Sequence, residues 1–449
     1  MSPFLRAAIP VGLGVALAAC PAPSGLAPHA WLYFAAFAAV ITALITEPIP
    51  AAGVGVIGVA FIATTGLAFG PEQRLPAAAI RWALAGFSNS TVWLIFGAFV
   101  FAMGYEKTGL GRRIALGLVR WLGRRTLGLG YAIALAEVVL APFTPSNTAR
   151  SAGTIFPVIR NIPELYGSRA GESPRRIGAY LMWVAFAMTC VTSSMFVTAL
   201  APNLLAIAIV KKATGLEITW MQWFLGYLPI GAVLVVAVPW LVYWIYPPEV
   251  RASEEVPAWA AQQLATMGPV TRHEWTMAAL VVAALAGWIF GSRWIDPTTV
   301  ALVAISGMLI AGVVSWDDIL ANKPAWNVLV WFATLVVLAD GLNQVGFVGW
   351  FGAGAASLLA GYSPHAVMIL LVVLFFAIHY LFASLTAHTT AVLPVILAAG
   401  IAVPGLPVPT FVLLLGFSLG LMGVLTPYAT GPAPVYYGCG FISRREFWR

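Results

Sequence analysis

Two polar stretches interrupt long apolar runs of this chain, Ser146-Asn147-Thr148 and His388-Thr389. Their hydroxyl and amide groups form hydrogen bonds without placing a charge in an apolar setting, and a protonated His388 would add one positive charge. The N–H groups at the start of a helix also carry partial positive charge, which favours negatively charged groups. Residues of these types beside chain breaks predict a site that binds carboxylate groups.

Two further interruptions lie at 198–203 and 426–434, and each contains proline. Proline removes a helical hydrogen bond, and discontinuous helices expose the backbone groups that bind substrates in membrane carriers. Asn203, Thr430 and Pro432 therefore join the candidate binding residues.

Three charged residues, Arg150, Glu137 and Asp340, lie within apolar runs or beside these interruptions. Ionisable groups at membrane depth are functional candidates by default. Two roles are open for Arg150. It could contact the bound anion directly, or it could neutralise the polar stretch that precedes it. Glu137 is expected to be a structural partner for an arginine or for the backbone, and proton relay is the alternative.

The composition excludes a soluble globular protein. Hydrophobic residues make up 61% of the 449 residues and charged residues only 9%, against about 25% charged in soluble domains. The net charge of +7 comes from basic residues clustered between apolar runs, which is typical of cytoplasmic loops rather than of a nucleic-acid surface. The three cysteines are widely separated and offer no disulfide or metal spacing. We expect a multi-pass helical protein surrounded by lipid, with no nucleic-acid partner, no metal and no cofactor.

The charge pattern also predicts the path of the chain. Basic stretches at 107–125 and 160–176 flank the apolar run 126–159, and both are expected on the cytoplasmic side. The run is too short for two crossings, which need about 40 residues plus a turn. It is therefore expected to be a re-entrant hairpin with the first polar stretch at its tip. Four preceding crossings place the N-terminus in the cytoplasm.

The second half of the chain repeats this order in the opposite orientation, as in the inverted repeats of secondary transporters. The first predicted transmembrane helix lies in 1–30. Repeat 1 extends over 31–246, with a hairpin at 126–160 and a broken helix at 177–210, and a cytoplasmic loop follows at 247–274. Repeat 2 extends over 275–449, with a hairpin at 365–400 and a broken helix at 408–438. The predicted fold class is an all-α polytopic membrane protein, an inverted-repeat transporter with two re-entrant helical hairpins and two discontinuous helices.

At these motifs the chain resembles the divalent anion/sodium symporter (DASS) family, and within it the branch of citrate/succinate and 2-oxoglutarate/malate exchangers. The resemblance covers nearly the whole chain and rests on five stretches: Gly86-Phe87-Ser88-Asn89-Ser90-Thr91-Val92-Trp93-Leu94, Lys107-Thr108-Gly109-Leu110-Gly111-Arg112-Arg113, Thr144-Pro145-Ser146-Asn147-Thr148-Ala149-Arg150, Ala199-Leu200-Ala201-Pro202-Asn203 and Ser384-Leu385-Thr386-Ala387-His388-Thr389-Thr390-Ala391. It implies that a Ser-Asn-Thr motif at each hairpin tip contacts substrate carboxylates and flanks a sodium site.

The chain departs from the family pattern at both implied sodium sites. The first Ser-Asn-Thr copy is intact, but Pro142 stands about one turn before Ser146, where sodium-coupled relatives have a hydroxyl. The second copy is Ala387-His388-Thr389, and its imidazole replaces an oxygen ligand of the cation. A charged His388 would take the place of the cation, which favours sodium-independent exchange. The resemblance also predicts one more span after the last broken helix than this sequence contains.

We therefore expect a transporter, not an enzyme, in the bacterial inner membrane. It would exchange di- or tricarboxylates of the succinate, malate, 2-oxoglutarate, citrate or tartrate type by alternating access, as a homodimer. The first alternative is a sodium-coupled dicarboxylate symporter, which sodium-dependent counterflow would reveal. A remote alternative is an anion channel, although no ring of pore-lining charges is evident. A membrane enzyme would need convergent acids and histidines, and the five histidines are scattered.

Overall fold

The computed structural model describes residues 2–70, 75–252, 254–291, 293–359 and 361–448. Regular structure in these ranges is helical, with no β-strand. Seven of the described helices are long and apolar enough to cross a membrane, or eight if the bent pair Pro76–Ser88 and Ser90–Thr108 forms one span. The predicted class, an all-α multi-pass membrane protein, is confirmed.

The helices of the first half run as follows: α1 (Pro3–Ala19), α2 (Pro28–Thr46), α3 (Ala51–Thr65), α4 (Pro76–Leu84), α5 (Ser90–Thr108), α6 (Leu110–Leu122), α7 (Thr126–Leu140), α8 (Phe156–Ile159), α9 (Ile162–Leu165), α10 (Gly178–Met195), α11 (Ala201–Thr214) and α12 (Trp220–Ile245). Those of the second half are α13 (Glu255–Thr266), α14 (Arg272–Phe290), α15 (Pro297–Ile310), α16 (Trp316–Ala321), α17 (Lys323–Gln344), α18 (Phe347–Leu359), α19 (Pro364–Ile378), α20 (Leu385–Ile401), α21 (Val408–Leu421), α22 (Ala433–Gly438) and α23 (Arg444–Phe447).

Four interruptions of the helices are present at or beside the predicted stretches, and one of them lies before His388 and Thr389 instead of at them. We call the four interruptions the first tip (144–147), the first break (196–200), the second tip (382–384) and the second break (425–432). In each case the flanking residues are helical, so the polar and proline residues stop a helix that the apolar sequence would otherwise continue. The two hairpins and two discontinuous helices of the predicted fold class are therefore observed.

Two stretches predicted as loops contain helices. The basic stretch 107–125 forms α6, and the loop 247–274 forms α13 and the start of α14. The reason is amphipathicity, since apolar side chains recur three or four residues apart on α6 and α13. Leu116 and Val119 of α6, and Val256 and Ala260 of α13, are buried where the two helices pack together.

The chain divides into two compact units, each assembled from three stretches. Unit 1 comprises Met1–Phe96, Leu204–Ile218 and Lys323–Gly416; unit 2 comprises Gly97–Asn203, Thr219–Asn322 and Phe417–Arg449. Each unit takes residues from both predicted repeats. The repeat boundaries therefore remain a prediction.

Unit 1 is built on α2, α3 and α17. The Tyr33 hydroxyl of α2 donates a hydrogen bond to the Leu338 carbonyl of α17 at 2.8 Å. Gly341 lies against the same ring, and a Cβ there would come within 1.9 Å of the Tyr33 oxygen. A small residue at this position is what allows the two helices to approach.

Unit 2 is built on α7, α10 and α12. The Trp223 indole of α12 donates to the Ser194 carbonyl of α10 at 2.8 Å. Nearer the start of α10, the Tyr180 ring lies against Gly130 of α7. These contacts hold α10 against α7 and α12, and α10 leads directly into the first break.

Candidate functional site

The first tip is framed by unusual helical geometry. After α7, residues Ala141–Phe143 form a 3₁₀ turn that includes Pro142, and beyond the tip Thr148–Ile155 form a π-helix. π-helical turns are rare and occur mostly at functional sites. The sequence pattern did not predict this π-helix, although it predicted the tip itself.

Hydrogen bonds join the first tip to the first break. The Ala201 N–H, at the start of α11, donates to the Pro145 carbonyl at 2.8 Å. The Thr198 hydroxyl donates to the Pro142 carbonyl at 2.6 Å. The two irregular segments therefore satisfy part of each other's backbone, as chain without regular structure must do at membrane depth.

The second break contacts the first tip from another direction. The Asn147 amide donates to the Thr430 hydroxyl at 2.8 Å, and the two side chains are only 5% and 3% exposed. Gly431 lies against Thr148, since a Cβ there would come within 1.9 Å of the Thr148 hydroxyl. Ser146, half-buried, accepts the Ala149 N–H at 3.2 Å. Three of the four irregular segments thus meet within unit 2.

Asn203 has a mainly structural set of contacts. Its amide nitrogen donates to the carbonyls of Ser193 and Phe196, at 2.7 and 3.2 Å. These carbonyls lie at the end of α10, where the helix cannot satisfy them itself. The Asn203 side-chain oxygen is buried and accepts no hydrogen bond from the described residues. It is a free acceptor beside the first break.

Arg150 and Glu137 form an ion pair behind the first tip. The Nε–Oε2 distance is 2.8 Å, and neither side chain is exposed. The expectation that Glu137 is the structural partner of an arginine is confirmed. Of the two roles left open for Arg150, its contacts support neutralisation and stabilisation of the first tip rather than contact with an anion.

The second tip, in unit 1, is constructed differently. Ser384 caps α20 by accepting the Ala387 N–H at 3.3 Å. His388 and Thr389 consequently lie in the first turns of a helix instead of on irregular backbone. The Thr389 hydroxyl donates to the Leu385 carbonyl at 2.8 Å, so only its oxygen lone pairs are left to contact another group.

Aromatic rings surround His388. The centroid of its imidazole lies 4.5 Å from that of Phe375, 5.2 Å from that of Phe382 and 5.0 Å from that of His379. The ring is fully buried. Neither ring nitrogen has a hydrogen-bond partner within the described part of the chain. Both nitrogens therefore keep their full hydrogen-bonding capacity.

The structure brings most of the predicted site residues into unit 2. These are Ser146, Asn147, Thr148, Arg150, Asn203, Thr430 and Pro432, whereas His388 and Thr389 belong to unit 1. Sequence reasoning missed the buried polar run Thr189–Ser194 on α10, which contacts Arg150. Four hydroxyl residues within an otherwise apolar span were the available signal.

A cavity of about 540 Å³ reaches the first tip within unit 2. Thr144 and Ala149 line its tip side, and Arg112, Arg160 and Asn161 line it elsewhere. The two arginines are exposed. The cavity provides room for water or a small anion next to the tip.

Comparisons with known proteins identify the family of the chain and several similar transporters. A family profile described as "Sodium:sulfate symporter transmembrane region" matches residues 2–449. The L-tartrate/succinate antiporter of Escherichia coli (strain K12) is 49% identical over 449 residues, covering 98% of this chain and 92% of its own length. The citrate/succinate antiporter of the same strain is 51% identical over 438 residues, covering 96% and 90%.

Among solved structures, the Alcanivorax borkumensis YdaH transporter aligns with a TM-score of 0.48 at 17% identity, over 86% of this chain and 96% of that chain. The family profile and the two antiporters extend over nearly all of the present sequence. The chain therefore belongs to the sodium:sulfate symporter transmembrane family, which confirms its resemblance to the divalent anion/sodium symporters.

Proposed function

We propose that this protein exchanges one di- or tricarboxylate for another by alternating access, without sodium. The observation that carries the proposal is the polar cluster of the first tip, where Asn147 meets Thr430 beside Ser146 and Thr148. Such a cluster of hydroxyls and amides suits carboxylate oxygens. The names of the two antiporters both include succinate, so succinate is the first substrate to test.

The proposed ligands in unit 2 are Ser146, Asn147, Thr148 and Thr430, with Asn203 and Pro432 shaping the surrounding breaks. In unit 1 we propose His388 and Thr389. Each ring nitrogen of His388 is available to a carboxylate, because the ring makes aromatic contacts and no described hydrogen bond. A protonated imidazole beside the dianion would supply the positive charge that sodium provides in coupled relatives.

Sodium independence has support at both tips. Sodium binds oxygen ligands, as hard cations do. Pro142 has no side-chain oxygen, and its carbonyl already accepts the Thr198 hydroxyl at 2.6 Å. At the second tip, where the family resemblance implies an amide, this chain has the imidazole of His388. Each departure removes an oxygen that a sodium site would use.

The same proposal includes the setting of the protein. It is a carrier rather than an enzyme, lies in the bacterial inner membrane as a homodimer, and has its N-terminus in the cytoplasm. The basic stretches at 107–125 and 160–176 support this orientation. N-terminal fusions to compartment-specific reporters test the orientation, and cross-linking in native membranes tests the dimer.

The decisive assay is counterflow in proteoliposomes. Vesicles loaded with labelled succinate are diluted into buffer with or without tartrate, citrate or succinate, in sodium or choline salts. Label is expected to leave only when an external carboxylate is present, at equal rates in both salts. Sodium-stimulated counterflow would favour the symporter, and unitary currents in planar bilayers would favour a channel.

A further inference from the structure

Arg150 has a complete set of protein partners. Its five N–H groups are directed to Glu137 from Nε, to two backbone carbonyls from Nη1, and to hydroxyls of α10 from Nη2. The closest of those hydroxyls is that of Ser193, at 3.1 Å. No N–H group of this buried side chain is left to contact a ligand.

The two carbonyls identify what Arg150 connects. Nη1 lies 3.1 Å from the Thr144 oxygen, at the start of the first tip, and 3.0 Å from the Ala199 oxygen, in the first break. One nitrogen therefore bridges the two irregular segments. A lysine ammonium at the same position would lack the planar fork that addresses both carbonyls and Glu137 together.

Glu137 keeps this bridge charged and in place. It lies on α7, thirteen residues before Arg150, and its Oε2 also accepts the Thr192 hydroxyl at 3.3 Å. Removal of either partner alone leaves a charge buried without compensation, which is strongly destabilising. Removal of both charges together avoids that penalty. A double variant can therefore test the loss of the bridge without the cost of a lone buried charge.

We propose that Arg150 is a positioning residue, which clamps the first tip to the first break and so holds Ser146, Asn147 and Thr148 in the geometry that binds substrate. This inference rests on the proposed function for its transport consequence. Its structural consequence, a tip and a break that move as one body, stands independently. Arg150 then acts on the substrate only through the tip backbone.

Two variants separate positioning from mere stabilisation. R150K keeps both charges but loses the bridge between the Thr144 and Ala199 carbonyls. E137Q/R150M loses the same bridge and both charges. We expect each variant to be monodisperse, with a Tm near that of the wild type. The KM for succinate should rise about tenfold, equivalent to about 1.4 kcal/mol. Deuterium uptake should be faster in peptides that cover 141–150 and 196–203. R169Q, which removes only the exposed Arg169–Glu172 pair, is the matched control and should match wild type throughout.

The outcomes are distinct. Wild-type KM and wild-type deuterium uptake in R150K and in E137Q/R150M would overturn the inference. The ion pair would then have only a packing role in the protein interior. If the double variant does not fold, R150K alone decides the matter by the same two measurements. If the wild-type protein exchanges no carboxylate, the proposed function fails, while deuterium uptake still tests the clamp.

Discussion

The two hairpin tips hold corresponding positions in the sequence pattern but are constructed in opposite ways. The first tip is irregular backbone stabilised by a buried ion pair and by hydrogen bonds to two breaks. The second is the capped start of α20, where aromatic rings surround the imidazole of His388. At the first tip the Asn147 amide is hydrogen-bonded within the protein, and at the second tip the two ring nitrogens of His388 have no described partner.

This difference bears on how each tip contributes to binding. A satisfied polar network is rigid, and it presents fixed donors and acceptors at little cost on binding. A buried polar group without a partner is costly, and a ligand that supplies the missing hydrogen bond relieves that cost. The first tip should therefore set geometry, and the second should gain most from the arrival of the substrate.

The largest expected effect is at the first tip. Asn147→Ala removes both a proposed substrate ligand and the hydrogen bond to Thr430. Hydrogen bonds to charged groups contribute about 1.5–3 kcal/mol, so succinate exchange should fall by about a hundredfold. Initial rates of counterflow, normalised to reconstituted protein, measure this.

Thr430→Val is the matched variant, because it keeps the side-chain shape and removes only the hydroxyl, which accepts the Asn147 hydrogen bond and is itself a proposed ligand. A hydroxyl that contacts a carboxylate contributes about 2 kcal/mol, so the expected loss is about thirtyfold. Equal losses in the two variants would contradict the larger role of the Asn147 amide.

A smaller effect is expected at the second tip. His388→Phe preserves packing among Phe375 and Phe382 but removes both ring nitrogens. Exchange should fall by about tenfold, as for the loss of one charge-assisted hydrogen bond, while Tm should not fall because an unsatisfied buried group is removed. His365→Phe, at an exposed position on α19, is the control. Wild-type exchange in His388→Phe would remove the imidazole from the account.

The smallest effect is expected from the ion pair of unit 1. Lys212 and Asp340 are paired at a cavity of about 230 Å³, but their side chains are 49% and 25% exposed. Pairs with solvent access contribute less than about 1 kcal/mol. Asp340→Asn should therefore shift Tm far less than Glu137→Gln, which leaves Arg150 buried and unpaired. Similar shifts in thermal unfolding would contradict the contrast between the two pairs.

The breaks were predictable because their cause is local. Prolines and short polar runs mark the interruptions, although Pro229, Pro239 and Pro394 lie inside helices and the hydroxyl-rich run of α10 does not break that helix. The Glu137 partner was predictable for a related reason, since a buried carboxylate requires a cation or several donors. Local composition therefore located the interruptions to within a few residues and singled out the acid that needs a partner.

The pairings between breaks were not predictable, because they depend on how distant segments pack. Asn147 and Thr430 are 283 residues apart, and no spacing rule connects them. The helical position of His388 was also missed, because Ser384 caps α20 and lets the helix start before the polar residues. The amphipathic helices α6 and α13 were not predicted, because the charges of these stretches were counted but the apolar residues spaced three or four apart on each stretch were not.

Obligatory exchange without sodium can be tested by a measurement of net uptake. Proteoliposomes that contain no carboxylate are given an inward sodium gradient and external labelled succinate, beside identical vesicles preloaded with unlabelled succinate. Labelled succinate is expected to enter the preloaded vesicles, and the empty vesicles should take up no more than protein-free liposomes. Sodium-driven accumulation of succinate in the empty vesicles would contradict obligatory exchange without sodium.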